Sequence, residues 1–147
     1  MIAKIFESDE FFERVKVNPD FNKFYDRFKD RVEIYIVTKG SYNNLSKKEL
    51  FFKKEFPDFH FIGCPHYFEE TNYSKKEIDM KRGIQIDDRV DALSTNASCK
   101  ILLKNNREVK WNKYEGDLEG NVYIANVWKD IETYVDFFLN NLTFLED

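Results

Sequence analysis

The chain is sparing with the residues that cross-link, punctuate or ligate. Its two cysteines, Cys64 and Cys99, lie far apart without metal-type spacing. That excludes a disulfide framework and suits a reducing compartment. The two histidines, His60 and His66, are too few and too poorly spaced to build a zinc site by themselves. With five glycines and three prolines there is no Gly/Pro-rich linker and no repeat, and no Gly-rich phosphate loop follows any strand-like run. No apolar run reaches membrane length, and no basic n-region leads into an h-region, so the expectation is a cytoplasmic protein without a membrane partner. A net charge of −4 gives no electrostatic case for nucleic acid.

What the chain does have is length and rings. Its 147 residues suffice for one domain with a sizeable core, and 15 Phe and 8 Tyr supply large side chains to fill it. Charges are scattered, with no block of one sign. The expected division is a single domain, 1–147, with residues 1–30 as an appendage or substitute first strand and helix and 31–147 as the core.

The periodicity predicts an α/β order. "VEIYIVT", Val32 to Thr38, is a near-continuous β-branched and aromatic run, as expected of a strand buried on both faces. After "KGSYNN", the stretch "LSKKELFFKKEF" has Leu45, Leu50 and Phe51 near helical spacing, Ser46 as N-cap, Glu49 completing a capping box, and Pro57 as terminator. "HFIGCP" reads as a second strand, "SKKEIDMK" as a short helix capped by Ser74, and "GIQIDD" as a third strand. "VDALSTNA" reads as a helix, "CKILLK" as a fourth strand, and "NNREVKWNKYEGDLEG" as a long polar loop. In "NVWKDIETYVDFFLNNL", residues Val127, Ile131, Tyr134, Val135 and Phe138 share one face of an amphipathic helix. Strand and helix in alternation predict a parallel, Rossmann-like sheet with flanking crossover helices.

In such sheets ligands sit beyond the carboxyl ends of the strands. Thr38 and Ser41 fall at the end of the first strand, and Asp87 and Asp88 at the end of the third. Adjacent carboxylates repel and call for a cation, a shared proton or open water. Lys75 and Lys76 open the helix between. Hydroxyl, ammonium and paired carboxylates together make a phosphate-and-Mg²⁺ set: the first two hold phosphate oxygens, and the hard carboxylates hold a hard cation. The bland reading is a strand end, a solvated helix start and a solvated turn, with Arg89 neutralising the acidic pair.

"IYIVTKGS", then a helix-opening lysine, then "GIQIDDR", resembles motifs two, three and four of the haloacid dehalogenase superfamily of phosphohydrolases. "FESDEFFERVKVNPDFNKFYDRF", "IDDRVDAL" and "VWKDIETYV" narrow the resemblance to its 5′(3′)-deoxyribonucleotidase branch, over residues 5 to 138. The resemblance implies a Mg²⁺-dependent phosphatase acting on nucleoside monophosphates. Thr38 would bond a phosphate oxygen, with Ser41 beside it. Lys75 or Lys76 would neutralise the phosphoryl group, and Asp87 and Asp88 would hold Mg²⁺ directly or through water.

The superfamily's first motif, a nucleophilic aspartate two residues before an acid/base aspartate, has no match after an apolar run upstream of Val32. Two accounts follow. In one, residues 1–30 correspond to a returning cap segment, and the strand that would carry the nucleophile is missing. Its neighbours would then leave buried backbone groups unpaired, at about 1–3 kcal/mol each, unless a second chain, a homodimer or a rearranged sheet fills the place. In the other, Ile2 to Phe6 is that strand, with Glu7 and Asp9 standing where the two aspartates should be. Lys4 would then sit in mid-strand. The extra methylene of Glu7 would displace an in-line nucleophile by roughly an ångström, enough for a loss of order 10²-fold. Either way the isolated chain is expected to be a weak phosphatase or none. The alternative is a non-catalytic protein of the same fold that acts through a macromolecular partner, with Tyr67, Phe68 and Tyr73 as surface or core aromatics.

Overall fold

The computed structural model describes residues 16–67, 71–72, 75, 78–116 and 121–142. The chain divides into two compact units, Met1–Lys75 and Lys76–Asp147.

The first unit opens with helix α1, Pro19–Phe28. Asn18 is its N-cap, accepting from the Asp20 backbone N–H at 2.9 Å, and Pro19 occupies the position where a missing N–H costs nothing. Phe24, Tyr25 and Phe28 line its buried face. Strand β1, Tyr35–Gly40, leads into helix α2, Tyr42–Glu55, and then strand β2, His60–Tyr67, pairs parallel to β1 as a βαβ unit, in a register of Tyr35 with His60 through Gly40 with Pro65. The two-residue strand β3, Thr71–Asn72, closes the sheet antiparallel to β2, giving the order β1-β2-β3. Tyr25, Phe56 and Phe59 form the aromatic core, with Phe21, Ile34, Ile36, Phe52 and Phe61 against it. Tyr25 and Phe56 meet at 4.7 Å and Phe21 and Phe56 edge-on at 5.2 Å, within the favourable range for ring pairs.

Two expectations move here. The strand begins at Tyr35, three residues later than Val32, and it is not buried on both faces: Tyr35 is half exposed and stacks at 4.6 Å on the exposed His60. Helix α2 begins four residues before the expected cap. Ser41 is its N-cap, accepting from Asn44 N–H at 3.2 Å, whereas Ser46 lies within the helix and Glu49 pairs with Lys53 at 2.8 Å. The early start needs Gly40, because a Cβ there would collide with the buried side-chain amide of Asn44. Pro57 follows the C-cap Phe56, as expected. The helix expected from Ser74 to Lys81 does not form among its described residues: Ile78 to Lys81 make a bend and a turn, in which Asn96 Oδ1 accepts from Met80 N–H at 2.6 Å and Asp79 Oδ1 from Lys81 N–H at 3.1 Å. Ser74, Lys76, Phe68 and Tyr73 lie outside the described residues.

The second unit is a parallel sheet in the order β4-β5-β6, with β4 at Ile84–Asp87, β5 at Cys99–Leu103 and β6 at Asn121–Ala125. The central strand β5, "CKILL", is buried throughout, as expected of a strand covered on both faces. Its one polar residue, Lys100, is 1% exposed. Helix α3, Trp128–Asn140, buries Ile131, Val135 and Phe138. The Asp130 carboxylate caps its start by accepting from the Asn126 and Val127 N–H groups at 3.0 and 3.3 Å. Tyr134 donates its hydroxyl to Ile124 O at 2.8 Å, and Val127 sits at the cap, partly exposed.

"VDALSTNA" is not a helix: only Asp91–Leu93 forms a single 3₁₀ turn. Gln85, buried in β4, donates to Ala92 O at 2.8 Å and accepts from Thr95 Oγ1, so this crossover spends its polar groups on the strand rather than on a helical ladder. β6 is a strand that the alternation does not reveal. The loop before it carries a 3₁₀ turn at Lys110–Asn112, held by buried Asn112, which accepts from Val109 N–H at 3.0 Å and donates to Arg107 O at 2.8 Å. The molecule is thus mixed α/β with parallel strands and flanking helices, in two three-stranded sheets. No helix among the described residues is long and apolar enough to cross a membrane.

Candidate functional site

In the first unit, chemistry gathers at the carboxyl end of β1. Thr38 stands opposite Gly63 of β2 and Lys39 opposite Cys64. Across the β1–α2 turn, Lys48 on α2 reaches back: its Nζ donates to Thr38 Oγ1 and to the Lys39 carbonyl, each at 2.9 Å. Burial and then the charge of Lys75 hold the Lys48 ammonium below the usual lysine pKa. Cys64, free and buried, has its thiol pushed up by burial, against the opposing pull of Lys75 and Lys39. Three ammonium groups therefore act on one neighbourhood at a strand end, beside a hydroxyl and the first turn of a 14-residue helix. Such a set recognises an anion with several acceptor oxygens.

Of the residues expected there, Thr38 and Lys75 fall in this neighbourhood. Ser41 is first of all the N-cap of α2, its Oγ accepting from Asn44. Lys76, Glu7 and Asp9 lie outside the described residues, as does the Ile2–Phe6 run. Lys48 escaped the sequence reading. In "LSKKEL" it stands in a pair of helix lysines, the ordinary pattern of a solvated face, and only the spacing of ten residues from Thr38 hints at a return contact.

In the second unit, Asp87 and Asp88 end β4. Asp87 Oδ1 accepts from the backbone N–H groups of Asp88 at 2.9 Å and Arg89 at 3.3 Å, an Asx-type turn that makes the pair adjacent by construction. Arg89 does not spend its fork on that pair. It bonds Asp91 through Nε at 3.0 Å and Nη2 at 3.2 Å, and lies 5.7 Å over the Trp111 ring. The hydrogen bond to Asp91 raises the Arg89 pKa and lowers that of Asp91. Among the described residues no group of three or more His, Cys, Asp and Glu is gathered to hold a metal. Mg²⁺ commonly takes only one or two carboxylates, with water and phosphate oxygens completing its shell, so the donor type of Asp87 and Asp88 fits it.

Comparison with known proteins returns no matching family model and no matching curated protein.

Proposed function

We propose that this chain is a phosphate-binding α/β protein of the haloacid dehalogenase type, resembling the 5′(3′)-deoxyribonucleotidases, and that on its own it hydrolyses nucleoside monophosphates poorly or not at all. The observation that supports this most is the Thr38 hydroxyl at the end of a parallel strand, bonded by Lys48 and set within the field of Lys75. In this reading Thr38 donates to a phosphate oxygen and the lysines of the first unit neutralise its charge; in the second unit Asp87 and Asp88 would supply the carboxylates for Mg²⁺. A nucleophile is the missing part, with Glu7 and Asp9 the weak substitutes.

Titration of the purified chain with inorganic phosphate and with a nucleoside monophosphate, read by calorimetry, tests the binding. A Thr38→Val variant is expected to weaken both by about tenfold, the worth of one charge-assisted hydrogen bond. Unaltered binding, or none in the parent chain, overturns the site. In a Mg²⁺-supplemented hydrolysis assay the chain is expected to match Asp87→Asn, and clear Asp87-dependent turnover would show that the nucleophile is present after all.

A second reading is a non-catalytic protein that works through a macromolecular partner, a second copy completing the sheet being the simplest. It is favoured by one observation: among the described strands, β1 pairs on one edge only, with β2, and β4 pairs on one edge only, with β5. A sedimentation series over a wide protein concentration, showing monomer throughout, would count against self-pairing.

A further inference from the structure

Lys48 asks for an explanation beyond general positive charge. It is partly buried, faces another lysine, and still directs two N–H bonds at Thr38 Oγ1 and the Lys39 carbonyl. An ammonium carries donors only, while a hydroxyl carries one proton and lone pairs that accept. In the Lys48–Thr38 bond the threonine oxygen must therefore be the acceptor. Its single proton is left for an acceptor other than Lys48. Without Lys48 the hydroxyl is free to rotate and to present either its proton or its lone pairs to whatever arrives. The second bond, to the Lys39 carbonyl, anchors the ammonium to the β1 backbone, so it cannot follow the ligand instead.

We infer that Lys48 is a positioning residue that commits the Thr38 hydroxyl to act as a donor, so that the end of β1 selects phosphate-like anions rather than ligands that would donate to it. The inference rests on the phosphate reading above and adds a residue and a selectivity to it. The buried and core-packed residues of helix α2 are Asn44, Leu45 and Phe52, none of them Lys48.

The full chain is titrated with inorganic phosphate as parent, Lys48→Met, Lys48→Arg, Thr38→Val and the Lys48→Met/Thr38→Val double variant, with thermal melts in the absence of phosphate as the control for folding. The expected result is that Lys48→Met weakens phosphate binding about tenfold, and that Lys48→Arg, which keeps the donors, restores most of it. The double variant is expected to be no weaker than the weaker single variant, because Lys48 acts through Thr38. Additive losses, or Lys48→Met binding like the parent, would overturn the inference while leaving the phosphate site standing. A parent chain that binds no phosphate overturns both. Should Lys48→Met fail to fold, Lys48→Gln, which keeps a neutral N–H donor, takes its place: binding lost with Gln as fully as expected for Met means that charge rather than positioning is at work, and overturns the inference.

Discussion

Lys48 holds its charge where the surroundings disfavour it. Its pKa is lowered, so the folded chain binds this proton less readily than the unfolded chain does, and the burden on folding is present at neutral pH and relieved only as pH rises toward the ordinary value of 10.5. Asp79 shows the opposite sign. Its carboxylate lies below the ordinary 3.8, first through the Lys81 N–H and then through the Asn96 side chain, whose Nδ2 donates to Oδ1 at 2.9 Å. Asn96 also accepts from Met80 N–H at 2.6 Å, so one small network holds the turn before β4, where Arg82 takes a φ of 62°. The stabilisation from Asp79 is present above the ordinary carboxylate pKa and is lost as pH falls through the lowered folded value. In an NMR titration the Asp79 carboxylate is expected to titrate below the ordinary 3.8, and Asn96→Ala is expected to bring its midpoint back toward that value. A midpoint that Asn96→Ala leaves in place would remove Asn96 from the account.

Elements were legible where one physical signal dominated. β4, β5 and α3 follow directly from the isoleucine alternation of "GIQID", the short apolar run "ILL" and a 3.6-residue stripe. β6 was not: "NVYIA" offers only three strand-forming residues, Val122, Tyr123 and Ile124, between a long polar loop and a helix, too short a run to stand out as an element. The start of α2 was misplaced because "SKKE" spells a better capping box than "SYNN", yet the tight approach at Gly40 decides for Ser41. The crossover "VDALSTNA" has helical spacing, and tertiary bonds from Gln85 override it. The same split holds at the site: Asp87 was legible as a strand end, Thr38 lies two residues inside an end that runs on to Gly40, and Lys48 depends on a contact across the turn. The pairing of β1 on one edge among the described strands has a direct consequence in hydrogen exchange. Amides along Tyr35–Lys39 that point away from β2 are expected to exchange rapidly in the isolated chain, and their neighbours slowly, giving an alternating pattern. Uniform protection would mean that a strand occupies the second edge, and would make Ile2–Phe6, with Glu7 and Asp9, the segment to mutate next.

Over the whole molecule the charge balance is negative, at −4, while the end of β1 collects lysines. An anion approaching this protein is repelled at long range and attracted only close in. Added salt screens both, with a Debye length falling from about 10 Å at 0.1 M to about 3 Å at 1 M. Because the close contacts are partly buried, phosphate affinity is expected to fall only several-fold across that range in a calorimetric series. A loss of several orders of magnitude would point instead to loose surface attraction.

The two thiols have a use that concerns neither ligand nor catalysis. Cys64 belongs to the first unit and Cys99 to the second, both are buried, and burial pushes both away from the reactive thiolate. Alkylation at either sulfur must therefore wait for its own surroundings to open. Mass spectrometry of the two labelled peptides over time would clock each half of the chain with a reporter that it already carries. Equal rates would reveal a single cooperative opening, and unequal rates would rank the halves by how often each comes apart.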